Sequence, residues 1–178
     1  MFFIPGILVS VATFPGVIVH EVAHQLFCRW RRIPVFDVKY FQFELGAQGY
    51  VIHAEPKDFL SSFLISFGPL FLNTLLCFLI SLPALIPQTI FSESPPASMF
   101  LIWLSVSIGM HAFPSTQDAQ NVWKKAREEI KNPLALLSFP IVIVIYVANM
   151  LRFFWFDAIY GLAVGFLIPG WILNHLPF

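Results

Sequence analysis

FPGVIVHEVAHQLFCRWRR, Phe14 to Arg32, sets two histidines and a glutamate inside an apolar run that ends on a basic, aromatic cluster. On a helix, positions i and i+4 share a face, so the His20 and His24 imidazoles can reach one metal ion, with Glu21 beside them. Imidazole nitrogens suit zinc, and a catalytic zinc site usually has three protein ligands and one open position. A neighbouring carboxylate can then take a proton from water and pass it to a leaving amine. The five-residue pattern has only three fixed letters and recurs by chance. Its setting argues otherwise, because ionisable groups within a membrane span are costly to insert and are functional candidates by default. Hydrogen bonding between neighbouring helices is the alternative role, and it does not call for this spacing.

Outward from this stretch the chain stays apolar. Its 178 residues are 58% hydrophobic and 11% charged, with 21 phenylalanines and a mean hydropathy of +0.78; an ordinary soluble domain carries about 25% charged residues. Several segments approach the ~20 apolar residues that cross a ~30 Å hydrocarbon core. The expected class is an all-α polytopic membrane protein in the lipid bilayer, with about five transmembrane helices and a short membrane-associated β-like hairpin between the first and second. Such spans use nearly all of the length, which predicts one domain, 1–178, with a core at 1–125 and additional helices at 133–178. Ten basic residues balance ten acidic ones, so net charge gives no sign of a nucleic-acid partner. Cys28 and Cys77 form no metal-type pair and read as packing residues.

Met1–Phe27 is expected to be the first span rather than a cleaved leader, since it lacks a basic start and a small-residue cleavage site. Ile33–Lys57 reads as extended, with Val35, Val38, Tyr40 and Phe43 among polar residues and Gly46 and Gly49 as breakers. Phe59–Pro83 is the second span, with a kink expected at Gly68-Pro69, and Pro87–Ala97 is a turn-rich loop. Ser98–Phe113 is the third span, Ala119–Asn132 an interfacial helix, Leu134–Leu151 the fourth span and Phe153–Leu176 the fifth. Five basic residues lie between spans one and two and four between spans three and four; only Arg152 lies elsewhere. Under alternating topology the positive-inside rule makes the first side cytoplasmic and puts the amino terminus outside.

This topology brings a third ligand within reach. His24 lies just before the basic exit of span one, and Asp118 just before Lys124 at the end of span three, so both fall at similar depth on one side. Asp118 is a suitable oxygen ligand for zinc, although Asp is also a favoured helix cap. The same topology puts Asp157 near the outer face, out of reach.

FPGVIVHEVAHQLFCRWRRIPVFDV (14–38), SFGPLFLNTLL (66–76) and HAFPSTQDAQ (111–120) resemble, in that order, the first core helix, the second core helix and the aspartate segment of the site-2 protease family of intramembrane zinc metalloproteases. The resemblance covers about residues 10–125; Ala119 stands where that family's pattern has glycine after the aspartate. It implies His20, His24 and Asp118 as ligands of one Zn2+ and Glu21 as the catalytic base. It also suggests a substrate-positioning or oxyanion role for Asn73, for which an interhelical hydrogen bond is the alternative. His111, two helical turns before Asp118, could face the metal and stabilise an oxyanion, or be a hydrogen-bonded core histidine. His53 and His175 read as surface or interfacial residues. The expected function is hydrolysis of a peptide bond in or near a transmembrane segment of a membrane-protein substrate, with Tyr40–Ile52 available to pair with the unwound chain. The alternatives are a non-catalytic zinc-binding membrane protein that engages a partner helix, and a metal transporter, which would need polar groups on both sides of the midplane.

Overall fold

The structure is a computed structural model that describes residues 6–43 and 48–175. The start of the expected first span, residues 1–5, the Gly46 breaker of the expected hairpin and the last residue of span five, Leu176, lie outside the described residues. The elements are α1 (Gly6–Ala12), α2 (Phe14–Trp30), β1 (Val35–Lys39), β2 (Tyr50–His53), α3 (Phe59–Phe91), α4 (Pro96–Met110), α5 (Thr116–Glu128), α6 (Pro133–Leu151), α7 (Phe156–Leu162) and α8 (Ile168–His175). A 3-10 turn, Arg152–Phe154, joins α6 to α7, and a π segment, Ala163–Leu167, joins α7 to α8.

The first segment is two helices rather than one. Pro15 sits in the first turn of α2, where its missing N–H is not needed, and the chain breaks at Thr13. The expected hairpin is present: β1 and β2 pair antiparallel, Val38 opposite Val51 and Lys39 opposite Tyr50, with an irregularity between Val35 and Asp37. Helix α3 runs unbroken for 33 residues through Pro69, Pro83 and Pro87, a length of about 50 Å. The expected loop therefore shrinks to 92–95. Ser92, in the left-handed region at φ 57°, ends the helix and its N–H donates to the Pro87 carbonyl. Asp58 caps the other end, accepting from the Ser61 N–H and hydroxyl at 2.9 and 2.7 Å. The Ser61 hydroxyl, the body of the helix start and Arg31 hold the Asp58 carboxyl below its usual range.

Helices α2, α4, α5 and α8 pack along α3. The Cys77 sulfur faces the Ser105 hydroxyl at 3.6 Å, the Asn73 amide reaches the His111 carbonyl, and the Phe59 N–H donates to the Glu129 carboxylate at 2.7 Å. Helices α4 and α5 are thus one path antiparallel to α3, interrupted at 111–115. Helix α6 turns back along α5, with the Trp123 and Phe139 rings 4.7 Å apart and Asn149 beside Pro114. Past Arg152 the chain keeps its direction. The Phe156 ring meets Phe113 at a tilt, centroids 5.3 Å apart, Gly161 lies against Met110 and Val106, and Gly165 against Ser105 and Cys77. A Cβ at Gly161 would come within 2.9 Å of the Met110 nitrogen, so this approach of α7 to α4 needs a residue without one.

This corrects the five alternating spans. Helices α6 and α7 follow one another in the same direction, and the break between them lies at the depth of the α4–α5 break. Arg152 and Asp157 hold it there, beside the cavity that His20, His24 and Asp118 line rather than out of its reach: Arg152 pairs with Asp157 at 2.9 Å and donates to the Phe113 carbonyl at 3.3 Å. Among the described residues three helices are long and apolar enough to cross a membrane, Phe59–Phe91, Pro133–Phe154 and Phe156–His175. Their outward faces are apolar too: Leu137, Val144 and Met150 on α6 and Phe71, Leu75 and Leu79 on α3 are exposed. A soluble monomer rarely exposes apolar surface so continuously. The expected interfacial helix is α5, whose Ala119, Val122 and Ala126 are buried against Phe59 and Phe67, while its Lys124 binds Glu55 at 2.8 Å. That hydrogen-bonded contact raises the Lys124 amine and lowers the Glu55 carboxyl from their ordinary ranges.

Candidate metal centre

Helix α2 presents His20 and His24 one turn apart, and their Nε2 atoms approach to 3.1 Å. Each ring is oriented from behind. His20 Nδ1 lies 2.7 Å from the His111 carbonyl and His24 Nδ1 lies 2.9 Å from the Ile65 carbonyl. A carbonyl only accepts, so each Nδ1 carries the proton and each neutral ring turns a bare Nε2 lone pair into the same space. Two lone pairs at that distance repel unless a cation lies between them. The arrangement, with the second nitrogen of each ring bound to a carbonyl, is the usual support of a metal-ligating histidine.

The α4–α5 break brings in the third group. Ser115 is the N-cap of α5, and Asp118 is the third residue of a capping box. Asp118 Oδ2 accepts from the Ser115 N–H at 2.9 Å and the Ser115 hydroxyl at 2.6 Å, and it faces His24 Nε2 at 3.6 Å. The two readings of Asp118 thus coexist, since one carboxylate completes the cap and faces the histidines. The ligand atoms of His20, His24 and Asp118 all lie within 4.8 Å of one another, the one such cluster among the described residues. Tetrahedral zinc with bonds of ~2.0–2.1 Å sets its ligand atoms about 3.3 Å apart, between the two short separations seen here. All three separations stay within 4.8 Å, and two imidazoles with one carboxylate are a donor set of the kind zinc takes.

No protein-family model, curated protein or solved structure matches the chain.

Glu21 is buried at 8% exposure, lines the same cavity as the three ligand groups, and has no hydrogen-bond partner among the described residues. The cavity holds about 690 Å³, room for a short extended peptide. The hairpin forms one wall, with Gly49, Tyr50 and Val51 among the lining residues. Tyr40 ties this hairpin to α2 by donating to Gln25 at 2.7 Å. Gly49 permits the contact: a Cβ there would fall on the Glu21 Cγ and within 2.6 Å of the Lys39 and Tyr40 carbonyls.

Asn73 and His111 stand behind the ligands. Asn73 is fully buried and donates to the His111 carbonyl at 3.0 Å, the oxygen that also orients His20. It is not among the residues lining the cavity. The His111 ring does line it, and its Nε2 lies 2.8 Å from the Thr13 hydroxyl. Thr13 spends its proton on the Val9 carbonyl at 2.7 Å, so His111 Nε2 is the donor in that pair. His111 is outside the ligand cluster. His53, expected at the surface, lines the cavity, as do Arg152 and Asp157; none of the three joins the cluster. His175 is exposed and bonds to Trp171, while Cys28 and Cys77 are buried and free. Arg152 and Asp157 are the only charged residues after Asn132. Two opposite charges five apart in an apolar stretch are a signal that they pair, and pairing them would have placed the break at the site.

Proposed function

We propose that the chain is a membrane-embedded zinc metallopeptidase of the site-2 protease kind, cleaving a peptide bond in or near a transmembrane segment of another protein. The observation that carries this reading is the convergence in one cavity of two imidazole lone pairs, the Asp118 carboxylate and a second carboxylate, Glu21, that accepts no hydrogen bond among the described residues. A bound zinc ion would supply Lewis acidity toward the scissile carbonyl and acidify a water molecule. Glu21 would accept the proton released in the attack and return it to the leaving nitrogen. A site that served structure alone has no need of that base. The hairpin, a two-stranded sheet that lines the cavity through β2, would bind the substrate as an added extended strand and expose its carbonyl.

The cytoplasmic side is the proposed location of the site. The end of α2 meets the start of α3 through Arg31 and Ser61, and the end of α5 meets it through Glu129. The nine basic residues of 29–57 and 124–131 are thus carried by segments that meet at one end of the molecule, which favours that end as the inner one.

The test is cleavage of single-span substrate proteins by the full-length chain in vesicles, compared with Glu21→Gln. The wild type should cut and the variant should retain zinc, stay folded and hold uncut substrate. A zinc-loaded wild type that leaves every such substrate intact would instead favour a non-catalytic zinc protein that engages a partner helix.

A further inference from the structure

We infer that Asn149 and Arg152, at the carboxyl end of α6, are positioning residues of the metal centre, acting through the 111–115 segment rather than by touching the ion. This rests on the reading of His20, His24 and Asp118 as a metal site. It assigns to the chain's last helices a part that the core motifs leave to residues 10–125.

Between α4 and α5 the backbone leaves the helix, and its carbonyls need partners from elsewhere. Side chains supply them. The His111 carbonyl accepts from His20 Nδ1 and Asn73. Those of Phe113 and Pro114 accept from Arg152 Nη2 at 3.3 Å and Asn149 Nδ2 at 3.2 Å. Pro114 has no N–H with which to tie itself down. Ser115, the next residue, holds Asp118 Oδ2 by two hydrogen bonds. One short segment therefore sets the orientation of His20 on one side and the place of Asp118 on the other, and α6 holds its middle. His24 depends on none of this, because its ring hangs on Ile65 in α3.

Arg152 is itself pinned. Its Nε binds Asp157 Oδ2 at 2.9 Å, which fixes the guanidinium plane while Nη2 reaches the Phe113 carbonyl. The chain is chemically suited to this: a fork of fixed geometry can bind a carboxylate and a carbonyl at once, which a lysine cannot reproduce. Loss of either donor should let the 111–115 segment shift, moving Asp118 and His20 relative to His24 and loosening the ion without removing a ligand.

The experiment compares Zn2+ affinity, by chelator competition, and the visible spectrum of the Co2+-loaded full-length protein in detergent. The variants are Asn149→Leu, Arg152→Gln, Arg152→Lys and, as a packing control in α6, Ile145→Ala. Asn149→Leu and Arg152→Gln should weaken zinc binding about 10- to 100-fold, the range usual for partners that orient ligands, and alter the Co2+ bands. Arg152→Lys should recover part of the affinity. Ile145, buried at 2% exposure in the same core cluster as Phe113, packs there but has no side-chain donor for a carbonyl of the segment; Ile145→Ala should lower thermal stability and leave affinity and spectrum as in the wild type. Wild-type zinc affinity in both donor variants would overturn the inference, and so would an equal loss in Ile145→Ala. These readouts need no proteolysis, so a protein that binds zinc normally and cuts nothing would sink the peptidase reading and leave this one standing.

Discussion

Replacing Asn73 with leucine should separate stability from metal binding. Asn73 is fully buried; its Nδ2 donates to the His111 carbonyl, while its Oδ1 has no partner among the described residues. The substitution removes one interhelical hydrogen bond, worth about 0.6 kcal/mol on average inside a membrane protein. It also removes a buried acceptor left unmade, a penalty of ~1–3 kcal/mol. The His111 carbonyl keeps its bond to His20, so no new orphan is created. The sum favours an unchanged or slightly raised stability, by about 0–2 kcal/mol, provided leucine fits the amide's space. Zinc affinity should move the other way, down by ~10–100-fold, because the carbonyl that orients His20 loses its second anchor. Thermal unfolding in detergent with zinc removed reads the first effect, and chelator competition reads the second. An oxyanion role would give another pattern, with affinity kept and turnover lost. Destabilisation of more than about 2 kcal/mol together with wild-type zinc affinity would refute the reasoning about both atoms.

Other outcomes follow from the same geometry. Glu21→Gln should lower the rate of peptide hydrolysis by about 10²–10⁴-fold at unchanged zinc content, as expected for a lost general base; full activity would remove Glu21 from the mechanism. Gly49→Ala should cut activity while zinc is retained, since the new methyl displaces the hairpin from Glu21, and a wild-type turnover rate would show that the hairpin wall is not needed. Ser115→Ala should cost about 1 kcal/mol of stability for the lost cap and also weaken zinc binding, through Asp118 Oδ2; a loss of stability alone would mean that the cap does not position the ligand. The Asp58 carboxyl is held low in the folded state, so its contribution is present above the ordinary aspartate range and is lost as pH falls through its lower folded value. Asp58→Ala should flatten the acid limb of the stability profile measured by thermal unfolding, and an unaltered limb would show that the cap does not matter there.

Much of the site was legible because its residues obey local rules. The i, i+4 spacing of His20 and His24 follows from helix geometry alone, and Asp118 could be found by depth, since it and His24 both precede basic exits. The hairpin announced itself through Val35, Val38 and Tyr40, whose β-type side chains and glycine neighbours suit strands. What stayed hidden depended on partners far apart in the chain. No local signal tells that Asn73 bonds to His111 O, or that His53 faces a cavity rather than solvent. Alternation of spans does not give the direction of the chain after Arg152: the Arg152–Asp157 pair and the Phe156–Phe113 contact set α7 along α4, beyond the α4–α5 break. The extent of α3 was also hidden: Pro83 and Pro87 read as stops, yet the helix passes both before ending at Phe91.

Metal content of the purified full-length chain tests the central claim most directly, measured side by side for the wild type, His24→Ala, Asp118→Ala and Glu21→Gln. One zinc per chain in the wild type and in Glu21→Gln, with loss in His24→Ala and Asp118→Ala, is the expected result. A wild type without zinc after preparation in its presence, or an Asp118→Ala variant with full zinc content, would contradict the site as built from His20, His24 and Asp118.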